Sequence, residues 1–96
     1  MNTPTVVHNP DAQRFECGQG ADLAECCYLR RGDVLVLHHT EVPPALQGLG
    51  LAAQLVQAAL AWARENHLCV QPSCSYVASY MKRHPETQDL LAAAGT

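Results

Sequence analysis

The segment Glu41-Val42-Pro43-Pro44-Ala45-Leu46-Gln47-Gly48-Leu49-Gly50-Leu51-Ala52 constrains this chain more than any other stretch. A strand-like run ends at two prolines, a turn holding two glycines follows, and a strongly amphipathic sequence begins directly after it. Strand, glycine turn and helix in that order build an anion site. Glycine lets backbone N–H groups approach a ligand without a Cβ in the way. The first helical turn leaves N–H groups unpaired at the positive end of the helix dipole. Phosphate is the anion that suits such a site.

Two widespread phosphate motifs fail on spacing. A nucleoside-triphosphate loop requires Gly-x-x-x-x-Gly-Lys-[Ser/Thr], and Leu51 rather than lysine follows Gly50. A dinucleotide loop requires Gly-x-Gly-x-x-Gly, and Ala53 occupies its third glycine position. The residues do satisfy Gln/Arg-x-x-Gly-x-Gly/Ala, written here as Gln47-x-x-Gly50-x-Ala52. In this form the segment resembles the pyrophosphate loop of the GCN5-related N-acetyltransferases (GNAT), which bind acetyl-coenzyme A. The runs His39-Thr40-Glu41-Val42-Pro43, Pro72-Ser73-Cys74-Ser75-Tyr76-Val77 and Arg83-His84-Pro85-Glu86 add to it. Together they resemble the minimal acetyltransferase-like subgroup of that superfamily, from about Arg14 to Leu90.

The pattern along the chain predicts an α/β (α+β) fold in one domain, residues 1–96. Residues 1–12 hold two prolines and little periodicity, and read as a loose arm or a short edge strand. Gln13 to Cys17 reads as a strand and Cys17-Gly18-Gln19-Gly20 as a turn. Residues 22–30 alternate, with Leu23, Cys27 and Leu29 on one face and Ala24, Cys26 and Tyr28 on the other. After a turn at Arg31-Gly32-Asp33, the run Val34 to Thr40 is apolar on both faces and predicts a central strand covered above and below. These three strands should form an antiparallel meander. Helical spacing of Leu51, Leu55, Val56, Ala59, Leu60, Trp62 and Ala63 predicts an amphipathic helix from Gly50 to about Asn66. Leu68 to Gln71 is a further strand, Ser75 to His84 a second helix with Val77 and Met81 buried, and Thr87 to Ala94 a last short helical turn. The strand–helix–strand order makes the two strands parallel neighbours. They deliver the chain to one sheet edge, where a V-shaped cleft opens and ligands bind outside the carboxyl ends of the strands.

On that arrangement Gln47, Gly48, Leu49, Gly50, Leu51 and Ala52 form the phosphate loop. The unpaired strand edge at Glu41 and Val42 is free to hydrogen-bond an extended pantetheine arm, and Pro43 and Pro44 help part the strands by lacking N–H donors. Cys74 stands at a helix start between Ser73 and Ser75, where the dipole favours a thiolate able to accept an acyl group. Its bland alternative is a small thiol filling a gap. The resemblance implies a tyrosine that protonates the departing CoA thiolate, and Tyr80 is the position best placed for it, with Tyr76 one helical turn away. His39 and Glu41 are read on the face of Leu35 and Leu37, pointing towards the cleft, as bases for an amine. Arg83, with Lys82 and His84, forms a basic cluster able to pair with CoA phosphates.

The implied activity is transfer of acetyl from acetyl-CoA to an amine, on a peptide, a protein lysine or a small molecule, by a monomer or homodimer. Two other readings stay open: a CoA-binding module or sensor without catalysis, and a thiol redox protein using Cys74 with Cys69. A net charge of -3 with six Lys and Arg argues against nucleic acid as a partner. No apolar run reaches the length of a membrane span and the N-terminus lacks a signal pattern, so the expected location is cytoplasmic. Five cysteines, two of them adjacent, read as reduced thiols rather than a disulfide framework, with Cys17, Cys26, Cys27 and Cys69 as packing. No metal site is expected, because Cys69 and Cys74 are five apart and His38 and His39 would point to opposite faces.

Overall fold

The computed structural model describes residues 5–92. The elements run β1 (Val7–Asn9), β2 (Arg14–Gln19), β3 (Asp22–Arg31), β4 (Val34–Glu41), a 3-10 turn (Pro44–Leu46), α1 (Leu51–Glu65), β5 (Cys69–Pro72), α2 (Ser75–Arg83) and a second 3-10 turn (Pro85–Leu90). One five-stranded sheet has the order β1-β2-β3-β4-β5, antiparallel as far as β4 and parallel between β4 and β5. This is the α+β architecture expected, a meander followed by a βαβ unit.

Cross-strand pairs fix the faces. Phe15 opposes Cys26, Cys17 opposes Ala24, Tyr28 opposes Leu37 and Leu35 opposes Val70, and paired residues project to the same side. All of them join one buried cluster with Leu51, Leu55, Val56, Ala59, Leu60 and Ala63 of α1 and Val77, Tyr80 and Met81 of α2. Both helices therefore pack on a single face of the sheet, a two-layer sandwich. The expectation that Val34 to Thr40 is covered above and below is corrected. Only Leu35, Val36 and Leu37 of β4 are buried, and Val36 lies on the far face outside the main cluster. The α1 stripe works as its periodicity predicts: six inward positions at helical spacing, each Leu or Val contributing roughly 1.5–3 kcal/mol on burial.

Turn chemistry moved one boundary. Gly18 is paired with Leu23 inside the β2–β3 ladder, and the reversal falls at Gly20 and Ala21. Gly18 has φ +108, and a Cβ there would run into the Asp22 carbonyl oxygen, so glycine is required at a point where the strands close up. The edge strand β1 is pinned by a half-buried aromatic box. His8 stacks on Phe15 at 4.3 Å, meets Trp62 edge-on at 4.8 Å, and its Nε2 is 2.6 Å from the Tyr28 hydroxyl.

A bulge shapes β4. Tyr28 pairs with Leu37 and the adjacent Cys27 with His39, leaving His38 as the extra residue. Beyond it the faces exchange: Thr40 joins the helix side with its partner Cys26, while His39 and Glu41 project with Cys27 and Glu25 to the uncovered side. At the other end of the chain the final helical turn expected over Thr87 to Ala94 starts earlier, at Pro85, whose fixed φ suits a first helical position. By Leu91 the chain is extended and bridges Val70, with the Ala92 N–H donating to the Val70 carbonyl at 2.9 Å; residues 93 and 94 lie outside the described residues. Among the described residues no helix is long and apolar enough to cross a membrane.

Candidate functional site

β4 and β5 run together only over Val34–Leu37 and Cys69–Pro72. One further bond, from the Cys74 N–H to the Leu37 carbonyl at 3.0 Å, ties the chain to β4 before it turns into α2. β4 continues to Glu41 paired on its β3 side alone, so its other edge faces the opening between the strands. Here α1 and α2 begin near one another.

A groove of about 230 Å³ occupies this corner, lined by Val42, Leu46, Gln47, Gly48, Gly50, Leu51, Ala52, Ala53 and Tyr76. Gly48 has φ +84 and Gly50, the N-cap of α1, has φ +75, so both hold the left-handed conformation that glycine adopts without strain. The Gln47 side chain turns back and donates to the Val42 carbonyl at 3.1 Å, closing the loop on itself. Leu49, expected in the loop's binding surface, is half exposed and stands off the groove. Any anion bound here would be met by backbone N–H groups at the helix start, since the lining includes no Lys or Arg.

Cys74 is the N-cap residue of α2, with φ -84 and ψ 133. Its sulfur forms no geometrically complete cap bond, yet it lies against the Val77 and Tyr76 N–H groups. It donates to Thr40 Oγ1 at 3.6 Å, and Thr40 Oγ1 in turn donates to the Cys26 sulfur at 3.9 Å. Burial pushes the Cys74 thiol up, but the Val77 amide, the Thr40 hydroxyl and the Tyr76 and Thr40 amides together bring it below the ordinary thiol range. Cys26, fully buried, is pushed the other way by desolvation, to about 11.

Other expected residues are placed elsewhere. Tyr80 is buried and stacks on His84 at 4.1 Å; it lines a separate cavity of about 190 Å³ between α1 and the second 3-10 turn, with Gln57, Leu60, Arg64 and Thr87. Tyr76, not Tyr80, is the tyrosine of the groove. Arg83 is exposed at the far end of α2, about 12 Å of helical rise from Ser75. Cys69 pairs with Val34 on the uncovered face at the start of β5, about 16 Å of chain from Cys74, so it is not a partner for that thiol.

His39 and Glu41 do not share the face of Leu35 and Leu37, because the His38 bulge turns them over. His39 Nε2 lies 3.1 Å from Glu41 and 3.7 Å from Glu25. Glu25 and Glu16 share the Arg14 guanidinium, and Glu25, His39 and Glu41 bring donor atoms within 4.8 Å of one another. Glu25 was missed from sequence, since only the register places it opposite Glu41.

Comparison with known proteins agrees with this fold. A solution structure of a GCN5-like N-acetyltransferase candidate from Staphylococcus aureus superposes with a TM-score of 0.77 at 26% identity, covering 97% of this chain and 92% of that one. Protein NATD1 from Homo sapiens is 40% identical over 57 residues, which is 59% of this chain and 50% of that protein. Protein NATD1 from Xenopus tropicalis is 41% identical over 54 residues, 56% of this chain and 50% of its own. The matched region thus spans about half the length of these relatives. Residues 14–90 match the GCN5-related N-acetyl-transferase family as a whole, and on that match the chain belongs to the GCN5-related N-acetyltransferase family.

Proposed function

We propose that this chain binds acetyl-CoA at the opening between β4 and β5 and passes the acetyl group to an amine by way of Cys74. One observation carries the reading: a glycine-built helix start and a thiol whose pKa the α2 amides and Thr40 lower lie at the two sides of the same strand divergence. The residues fit the ligand's chemistry. Backbone N–H groups at Gly50 to Ala53 suit the pyrophosphate, and the β4 edge from His38 to Glu41, which β5 does not pair, offers donors and acceptors to the amides of the pantetheine arm.

The Cys74 thiolate would attack the thioester carbonyl carbon. A new C–S bond forms, the bond to the CoA sulfur breaks, and CoA leaves as thiolate. The amine then attacks the acetyl carbon, nitrogen gives up a proton to base, and Cys74 returns as thiolate. His39, braced by Glu41 and Glu25 on the uncovered face, is the base that the arrangement favours, with an amine approaching from that side. Tyr80, turned into the helix layer, supports the route through Cys74 over direct transfer that relies on it as acid.

The test is a native mass spectrum of the protein with acetyl-CoA, repeated after denaturation. A CoA-sized adduct that is lost on denaturation supports the site, and an acetyl mass that survives denaturation but vanishes in Cys74→Ala supports the two-step route. CoA and acetyl-CoA adducts with no acetyl retained or transferred would instead fit a binding module or sensor. No adduct at high ligand concentration would sink the reading.

A further inference from the structure

We propose that Thr40 is a positioning residue for Cys74, and that Cys26, Thr40 and Cys74 form one polar line whose direction reverses when Cys74 ionises. The bulge makes it possible. In an unbroken strand Thr40, three residues after Leu37, would lie on the opposite face; with His38 bulged out, Thr40 stands on the helix side between its cross-strand partner Cys26 and the N-cap of α2. The sulfur–oxygen distances are 3.6 Å to Cys74 and 3.9 Å to Cys26.

In the thiol state the chain of donors runs Cys74 to Thr40 to Cys26. A thiolate at Cys74 accepts but cannot donate, so the Thr40 hydroxyl turns its hydrogen towards Cys74. Its oxygen is then free to accept from the Cys26 S–H. Cys26 suits that end of the line because it is buried and stays a thiol, so a donor is always present behind the hydroxyl. No proton is gained or lost in the turn; two hydrogens change partner. Among the described residues the titratable groups around Cys74 are Cys26 from β3 and Tyr76 two residues along its own helix. On β4, His39 and Glu41 face away, and the first turn of α1 has no acidic residue.

What the line is for rests on Cys74 being the acyl-accepting thiol; whether it exists does not. Ligand-free protein is alkylated with iodoacetamide across pH 5 to 10, and the modification of Cys74 is quantified by fragmentation mass spectrometry, which resolves it from Cys69 on the same tryptic peptide and from Cys27 on another. Thr40→Val keeps the side-chain shape and removes the hydroxyl. Its Cys74 profile should move to higher pH, with alkylation below the midpoint slowed about three- to tenfold. Thr40→Ser should restore the wild-type profile, and Cys26→Ala should shift it up by less than Thr40→Val. A Thr40→Val profile that superimposes on wild type overturns the proposal, as does a Thr40→Ser profile displaced as far as that of Thr40→Val, since packing alone would then explain both. Should valine at 40 unfold the chain, Cys26→Ala tests the line from its other end, and an unmoved profile there overturns it. Failure to retain acetyl-CoA would remove the functional reading and leave these profiles unaffected.

Discussion

Leu37 and His39 are two residues apart in β4 and lie on opposite faces of the sheet: Leu37 is fully buried under the helices beside Tyr28, and His39 projects with Cys27 to the uncovered side. In an unbroken strand they would share a face. His38, the residue between them, is the bulge that separates the two chemistries of the site, a thiol side and an imidazole–carboxylate side.

Deletion of His38 tests whether the bulge also shapes the cleft. The pairs Tyr28 with Leu37, Cys27 with His39 and Cys26 with Thr40 can all form in a regular ladder once the extra residue is gone, so the shortened chain should fold. β4 should straighten at the opening, and retention of acetyl-CoA in a native mass spectrum should fall. A folded deletion that holds the ligand as well as wild type would show that the bulge does not shape the cleft.

Two glycines should respond differently to alanine. At Gly50 a Cβ meets nothing within 4 Å, so Gly50→Ala should cost only the left-handed conformation, about 1–2 kcal/mol. At Gly18 the same substitution adds a collision with the Asp22 carbonyl to a φ of +108, and the loss should be larger, about 3 kcal/mol. Thermal melts read both, and equal losses would mean that the β2–β3 ladder relaxes around the new methyl group.

His8 gives stability a pH dependence. Burial lowers its pKa below the model-peptide value of 6.5, so the unfolded chain binds a proton more readily than the folded one. Stability from this group is therefore complete above pH 6.5 and declines as pH falls from there towards the lower folded value. Melting temperature should drop between pH 7 and 5, and His8→Phe, which keeps the stack on Phe15 but cannot ionise, should flatten that drop. An equally steep drop in the variant would place the dependence elsewhere.

Much of the architecture was legible because it rests on periodicity. Leu51, Leu55, Ala59 and their neighbours mark α1 to within a residue at each end, and the strand–helix–strand order is enough for the parallel β4–β5 pair. The faces of β4 were not legible past Leu37. A bulge adds one residue without a glycine or proline to announce it, and every side chain beyond it changes sides. Glu25 stayed hidden for a related reason, since register alone places it by His39 and Glu41. Sole coverage by helices on one face was equally invisible in Val34 and Val36, whose apolar side chains read the same whether a helix or only neighbouring strands shield them.

Tyr76 and Tyr80 show where a correct face is still too coarse. They share one side of α2, as four-residue spacing requires, but stand about 6 Å apart along its axis. That single turn puts Tyr76 in the groove against Val42 and Gly50, and Tyr80 in the other cavity against Leu60 and Arg64. The two should therefore separate by experiment. Tyr76→Ala removes an aromatic wall from the groove at the margin of the core, so acetyl-CoA retention should fall while the melting temperature drops less than in Tyr80→Ala. Tyr80→Phe keeps the ring that fills the core beside Met81 and His84 and removes only the hydroxyl, so acetyl transfer should persist. Tyr80→Ala, by contrast, empties a buried site and should destabilise by about 3–5 kcal/mol, the usual range for losing a large core aromatic. Transfer abolished by Tyr80→Phe in a protein that still folds and binds acetyl-CoA would return Tyr80 to the chemistry as the acid of a direct route, and would count against the passage through Cys74.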